Sequence, residues 1–258
     1  MRVIITESPA EVATIAADMI ADTVRGKGEV SIGLATGSTP IATYKELIAR
    51  YQAGEISFAN TSVYMLDEYI GIDRADENSY YRTIRREFSE QVDIDDSRVH
   101  SPNGQASSVA AEAARYEETV RAAGVSLQLL GIGSDGHIGF NEPGSAFDSP
   151  THRVILHPQT VRDNARFFSS IDEVPREAIT QGLATIRAAE HPVLLATGES
   201  KAPAVAAMVE GPVTAHCPAS ILQFHPNCTV IVDSAAASQL LDREFYIAAE
   251  KQRRARTS

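Results

Sequence analysis

Residues 30–54 read VSIGLATGSTPIATYKELIARYQAG. A short aliphatic, β-prone run passes through Ala-Thr-Gly-Ser-Thr-Pro into a stretch with helical spacing. Strand, glycine-and-hydroxyl loop, helix is the building unit of an α/β fold, and it recurs along the chain. TSVYML at 61–66 precedes SYYRTIRREFSE at 79–90, VSLQLLGI occupies 125–132, and VLLA at 193–196 leads into KAPAVAAMVEG at 201–211. SSVAAEAARYEETVRAAG, residues 107–124, has helical composition and stops at Gly124. MRVII reads as a first strand, CTVIVD at 228–233 as another, and LLDREFYIAAEKQRRARTS at 240–258 as a terminal helix whose basic end complements its dipole. The expected fold is α/β: a doubly wound, Rossmann-like, mostly parallel sheet with helices on both faces. No low-complexity linker interrupts the pattern, so one domain over residues 1–258 is expected.

Composition narrows the function. A formal net charge of −11 opposes attraction to nucleic-acid phosphates and to anionic membranes, so neither is expected as a partner. An anionic ligand would need local cations. No apolar run approaches the roughly 20 residues that cross a bilayer. Glu7, Glu11 and Asp18 fall where a signal peptide needs an unbroken apolar segment, and the protein is read as cytoplasmic. Cys217 and Cys228 lie with His216 and His225 in TAHCPASILQFHPNC, without a CxxC pair. Buried free thiols are therefore expected rather than a zinc site.

LATG occurs twice, at 34–37 and 195–198, each time after a strand and before a helix. In a doubly wound sheet such loops gather at the carboxyl edge, so both can face one ligand. In the first, Gly37 permits close backbone approach, Ser38 and Thr39 bring hydroxyls, and Pro40 suits a first helical turn. A phosphate at a helix N-terminus and an ordinary N-cap by Ser38 or Thr39 explain this stretch equally well. The second loop adds Lys201 at a helix start, where the dipole disfavours a cation unless an anion is near. Arg162 and Arg166, four apart in TVRDNARFF, would share a helical face, and either can clamp a phosphate or sit in water.

TSVYMLDEY reads as a strand ending in Asp67 and Glu68. At the carboxyl end of a parallel strand Asp67 is a candidate base, although a strand-end acid that caps the next turn is the commoner case. The weight shifts with GIGSDGHIGFNEP, residues 131–143, at the end of another strand. Asp135, His137 and Glu142 there can form a relay in which the imidazole moves protons near neutral pH while carboxylates orient it. HExxH and H-x-H are absent, so no metal is expected. Neither a Walker A loop nor G-x-G-x-x-G follows a strand, and no G-x-S-x-G elbow occurs; ATP, NAD and serine-hydrolase chemistry lose support, and no cofactor is expected.

ATGSTP, MLDEYIG, GIGSDGHIGFNEP, NARFF and TGESKA, in this order between about residues 30 and 225, resemble the glucosamine-6-phosphate deaminase family. DGHIGFNEP is its most specific part. Related 6-phosphogluconolactonases share the fold and a DGH-type loop but resemble the chain less beyond it and in MLDEY. The resemblance implies conversion of glucosamine 6-phosphate and water to fructose 6-phosphate and ammonia, without a cofactor. It implies Asp67 as the base that moves a proton between carbons and His137 in ring opening, oriented by Asp135 and Glu142. Gly37, Ser38, Thr39, Arg166 and Lys201 would hold the phosphate, and residues from about 156 to 180 would form a lid.

Two departures from the family pattern bear on function. The first loop reads GST where some members have GGT, which adds a hydroxyl. In SAFDSPTHRVILH, residues 145–157, allosterically activated members carry arginine and lysine, whereas here Arg153 stands alone beside His152 and His157. Activation by N-acetylglucosamine 6-phosphate is not expected, and the choice between monomer and homo-oligomer stays open. The alternatives are galactosamine-6-phosphate deamination, lactone hydrolysis, and a non-catalytic sugar-phosphate sensor; the last needs a DNA-binding module for which MRVII leaves no room.

Overall fold

The computed structural model describes residues 1–25 and 28–257. Ser258, the last residue of the expected terminal helix, lies outside them. A seven-stranded parallel sheet runs through the centre, built from β1 (Arg2–Thr6), β2 (Val30–Leu34), β3 (Thr61–Met65), β5 (Val99–His100), β6 (Leu127–Leu130), β9 (Pro192–Ala196) and β10 (Thr229–Asp233). Their order is β1-β10-β9-β6-β2-β3-β5. From β2 the chain winds one way to β3 and β5, then returns to lay β6 on the other side and continues to β9 and β10. The winding thus reverses between β2 and β6, in register Ile32 to Leu127. At such a switch point the two outgoing loops part and leave a crevice at the carboxyl edge.

Alternation along the strands supplies two apolar faces, and each finds helices. Ile32, Leu34, Val63, Met65, Leu129 and Leu195 point one way, against α1 (Pro9–Arg25), α2 (Ser38–Gln52) and α3 (Tyr80–Glu87). Leu130, Leu194, Ala196 and Val232 point the other way, against α6 (Leu183–Arg187) and α7 (Ala202–Val209). Burial on both faces is why these strands read as nearly unbroken apolar runs. The α4 helix (Val109–Ala123) stops as expected at Gly124, which is left-handed at φ 57°. A terminal helix, α8 (Arg243–Thr257), packs beside β1.

The sequence did not foretell a second, antiparallel sheet. TSVYMLDEY is two strands: after Leu66 the chain leaves the main sheet, and β4 (Asp67–Tyr69) pairs instead with β8 (Glu177–Thr180), which pairs with β7 (His152–Ile155). Gln181 holds the crossing, its N–H donating to Leu66 O at 2.7 Å and its Nε2 to Met65 O at 3.0 Å. The segment expected to be a lid over 156–180 therefore has a different boundary. Its last residues are the middle strand of this small sheet, and the part outside the sheet is α5 (Pro158–Asn164) with the irregular turns that follow.

Candidate active site

A cleft of about 900 Å³ lies at the carboxyl edge where β2 and β6 part, and both LATG loops border it. Gly37 has φ 99° and is itself the residue preceding α2; no side chain caps that helix. The ordinary N-cap by Ser38 or Thr39 is thus not formed. Both hydroxyl residues border the cleft, and the first N–H groups of α2 are left for a ligand. In the second loop Gly198 has φ 87°, and its N–H donates to both Asp233 carboxylate oxygens at 3.1 Å. This anchor holds the turn that delivers Lys201 to the same cleft.

Arg166 arrives from the turn after α5, with its guanidinium 4.7 Å above the Phe167 ring. Arg162 does not accompany it: it is exposed and donates to Gln159 Oε1 at 2.7 and 3.2 Å. The helix ends at Asn164, so the expected shared face of the two arginines is broken between them. Lys201 is half-buried, and burial pulls its pKa down; Asp163 and Asp135 act against that, while Arg166 adds to it. Two cations facing one hollow beside an uncapped helix start can hold an anion.

Asp67 opens β4 and is 6% exposed, toward the cleft. Burial, and secondarily the charge of Glu68, pushes its carboxyl up to about 8. No hydrogen bond ends on that carboxylate among the described residues. Gly139, left-handed at φ 56°, lies beside it: a side chain there would begin in ordinary contact with Asp67 Oδ2, at 3.6 Å, but only 2.9 Å from Thr180 Oγ1, so the backbone angle and Thr180 together favour glycine.

The loop after β6 is braced before it presents any chemistry. Gly133 N–H donates to His137 O at 2.9 Å, Asn141 Nδ2 to Ile138 O at 2.9 Å and Gln181 O at 2.8 Å, and Ala219 N–H to Gly136 O at 2.9 Å. Within this frame His137 Nδ1 lies 2.7 Å from Asp135 Oδ1 and 3.6 Å from Glu142 Oε2. The first contact is off the line of a good hydrogen bond, so His137 Nδ1 and Glu142 Oε2 are buried polar atoms without a well-aligned partner. Burial raises Asp135, but the His137 side chain outweighs it and holds the carboxyl well below the usual carboxylate range. Asp135, His137 and Glu142 also form a group, among the described residues, whose ligand-type atoms all lie within 4.8 Å of one another. Two acids around one imidazole can take a cation there, or a proton.

Several residues at the site were given no role by the sequence. Glu68 accepts the N–H groups of Tyr69, Tyr80 and Tyr81 at 2.9, 3.0 and 2.9 Å and pins the start of α3 to β4. Tyr69 takes a hydrogen bond from Tyr80 OH at 3.0 Å and from Asn164 Nδ2 of α5 at 2.9 Å. Thr160, also of α5, donates to Glu142 Oε1 at 2.7 Å. The one hint was the i, i+4 spacing of Thr160 and Asn164. Cys217 and Cys228 are buried free thiols, Cys217 packed behind Gly136, and neither borders the cleft.

The chain is similar to known proteins over nearly its whole length. A family model described as glucosamine-6-phosphate isomerases/6-phosphogluconolactonase matches residues 6–231. A glucosamine-6-phosphate deaminase of Corynebacterium aurimucosum is 55% identical over 254 residues, covering 98% of this chain and 99% of its own. A solved structure of a monomeric glucosamine-6-phosphate deaminase superposes with a TM-score of 0.91 at 45% identity, over 92% of this chain and 99% of that one. The 6-phosphogluconolactonase of Trypanosoma cruzi shares the fold at 22% identity and a TM-score of 0.73, over 93% of this chain and 97% of its own. The chain belongs to the glucosamine-6-phosphate isomerase/6-phosphogluconolactonase family.

Proposed function

We propose that this chain, acting as a single domain, deaminates glucosamine 6-phosphate, taking up water and releasing fructose 6-phosphate and ammonia. The observation that carries this reading is one cleft with a cationic helix-start site, a buried unpaired carboxylate and a carboxylate–imidazole relay on its walls. Gly37, Ser38 and Thr39 with Arg166 and Lys201 hold the phosphate dianion, which offsets the desolvation of Lys201. The His137 imidazole, held by Asp135 and Glu142, moves the proton from the anomeric hydroxyl to the ring oxygen and opens the sugar. Asp67 then takes the C2 proton of the open aldose while the substrate's own ammonium group gives a proton to O1, which leaves an enolamine. Protonation at C1 gives a 2-imine; water adds at C2, and the C–N bond breaks to release ammonia. Every step is a proton transfer or addition that side chains and the substrate's own groups perform.

A cytoplasmic location fits the two buried free thiols, and no helix of the described residues is long and apolar enough to cross a membrane. Activation by N-acetylglucosamine 6-phosphate has no cationic pocket to use in residues 145–157: Arg153 there is exposed and ion-paired with Glu177.

Ammonium release from the purified, metal-stripped protein tests the reading, with glucosamine 6-phosphate, galactosamine 6-phosphate and 6-phosphogluconolactone in parallel. Ammonium with matching fructose 6-phosphate from the first substrate is expected. Silence there with lactone hydrolysis, or binding without turnover, moves the chain to the lactonase or sensor reading.

A further inference from the structure

We propose that Thr160 is a positioning residue whose hydroxyl fixes the Glu142 carboxylate, so that the relay around His137 is assembled only when α5 is seated over the cleft. This rests on the deaminase reading and adds a residue to it. Glu142 Oε1 accepts two hydrogen bonds from the start of α5: Thr160 Oγ1 at 2.7 Å and the His157 N–H at 3.2 Å. Thr160 is 4% exposed, so water does not compete for its hydroxyl. With Oε1 held, the carboxylate plane is set, and Oε2 stands 3.6 Å from His137 Nδ1. A free glutamate has a broad, nearly two-fold terminal torsion and does not hold such an aim.

The same face of α5 also reports on the other half of the site. Asn164, four residues after Thr160, donates to Tyr69 OH at 2.9 Å, and Tyr69 follows Asp67 by two positions in β4. Between them Val161 is buried in a small apolar cluster with Tyr69, Phe140 and Leu156. One helical face thus touches the relay through Thr160 and the Asp67 strand through Asn164, while Arg166 follows two residues later at the phosphate end. A helix whose only task is to cover the cleft needs the apolar cluster but not a buried hydroxyl aimed at the relay.

The test compares wild type with Thr160→Val, which keeps the shape and removes the hydroxyl, and Thr160→Ser, which keeps the hydroxyl. Measurements are kcat and KM for glucosamine 6-phosphate, and inhibition by its reduced open-chain alditol phosphate. A hydrogen bond to a charged group makes a tenfold or larger fall in kcat the expected result for Thr160→Val, with KM and inhibitor affinity changed by less than about threefold. Thr160→Ser should recover most of the loss. Wild-type kcat in the Val variant overturns the inference, as does a Ser variant as impaired as Val, or a rise in KM and inhibition constant with kcat unchanged. If Thr160→Val does not fold, Thr160→Ala, which also removes the hydroxyl, is read by the same split of kcat against KM. A wild-type protein that releases no ammonium overturns the deaminase reading itself, and is thereby distinguishable from a failure of the Thr160 inference alone.

Discussion

Asp67 and Glu68 are consecutive residues of β4 whose buried carboxylates have opposite surroundings. The strand's alternation sends them to opposite sides. Glu68 accepts three backbone N–H groups, two of them from the first turn of α3, whereas Asp67 accepts none among the described residues and faces the cleft. Burial raises both, but only Glu68 has N–H donors that act against it. The result is an acid tied into the fold beside one left open to the cleft, and each makes a prediction of its own.

Replacing Asp67 by Asn should abolish turnover, by a factor on the order of 10³ or more, while the reduced alditol phosphate still binds. In the wild type, kcat/KM should rise with pH toward about 8 as this base ionises. Stability must run the other way. The native state holds the Asp67 proton more tightly than the unfolded chain does, so stability is full below the ordinary carboxylate range and falls as pH rises toward about 8. Asp67→Asn should flatten that decline in denaturation measured from pH 5 to 9; an unchanged slope would show that Asp67 titrates normally.

Glu68→Ala should damage folding before chemistry. It strands two N–H groups at the start of α3 and one in β4, a cost on the order of 3 kcal/mol. Urea denaturation should show this loss directly. A variant as stable as wild type would mean that water replaces the carboxylate at the helix start.

Gly133→Ala probes the relay by shape alone, because the backbone there is not left-handed. The new methyl would stand 2.3 Å from His137 Nδ1 and 2.7 Å from Asp135 Oδ1, so the imidazole must move off the carboxylate. A misplacement of this kind costs roughly 10²-fold in kcat with the fold intact. Steady-state rates together with a thermal melt check it; wild-type kcat would place the working imidazole elsewhere.

Lys201→Ala should weaken binding of the alditol phosphate by about ten- to a hundredfold, the worth of a charge-assisted bond to phosphate. Adding Arg166→Ala should weaken it further and reduce its salt dependence. Calorimetric titration at two salt concentrations separates the outcomes. Unchanged affinity in the single variant would remove Lys201 from the phosphate site.

Much of this site was legible because its residue types are restricted by local physics. The two LATG loops announced themselves by glycines, which indeed take φ 99° and 87°, and DGHIGFNEP by the density of glycines and titratable groups after a strand. Between Arg162 and Arg166 the sequence left the choice open, since periodicity alone does not say where α5 stops. Glu68 read as half of an acidic pair, because its three donors come partly from residues 12 and 13 positions later.

The sequence by itself determined the alternation of strands and helices, the parallel sheet buried on both faces, and the loops able to bend around an anion. These follow from periodicity and backbone preference within a few residues. Only the tertiary structure decided which polar groups meet: that β4 leaves the main sheet, that Thr160 reaches Glu142 across 18 positions, and that Asn164 reaches Tyr69 across 95. Such pairs depend on the order in which strands are laid into the sheet. The reversal between β2 and β6 brings the Gly37 loop and the His137 loop to one crevice, and no local pattern encodes that neighbourhood.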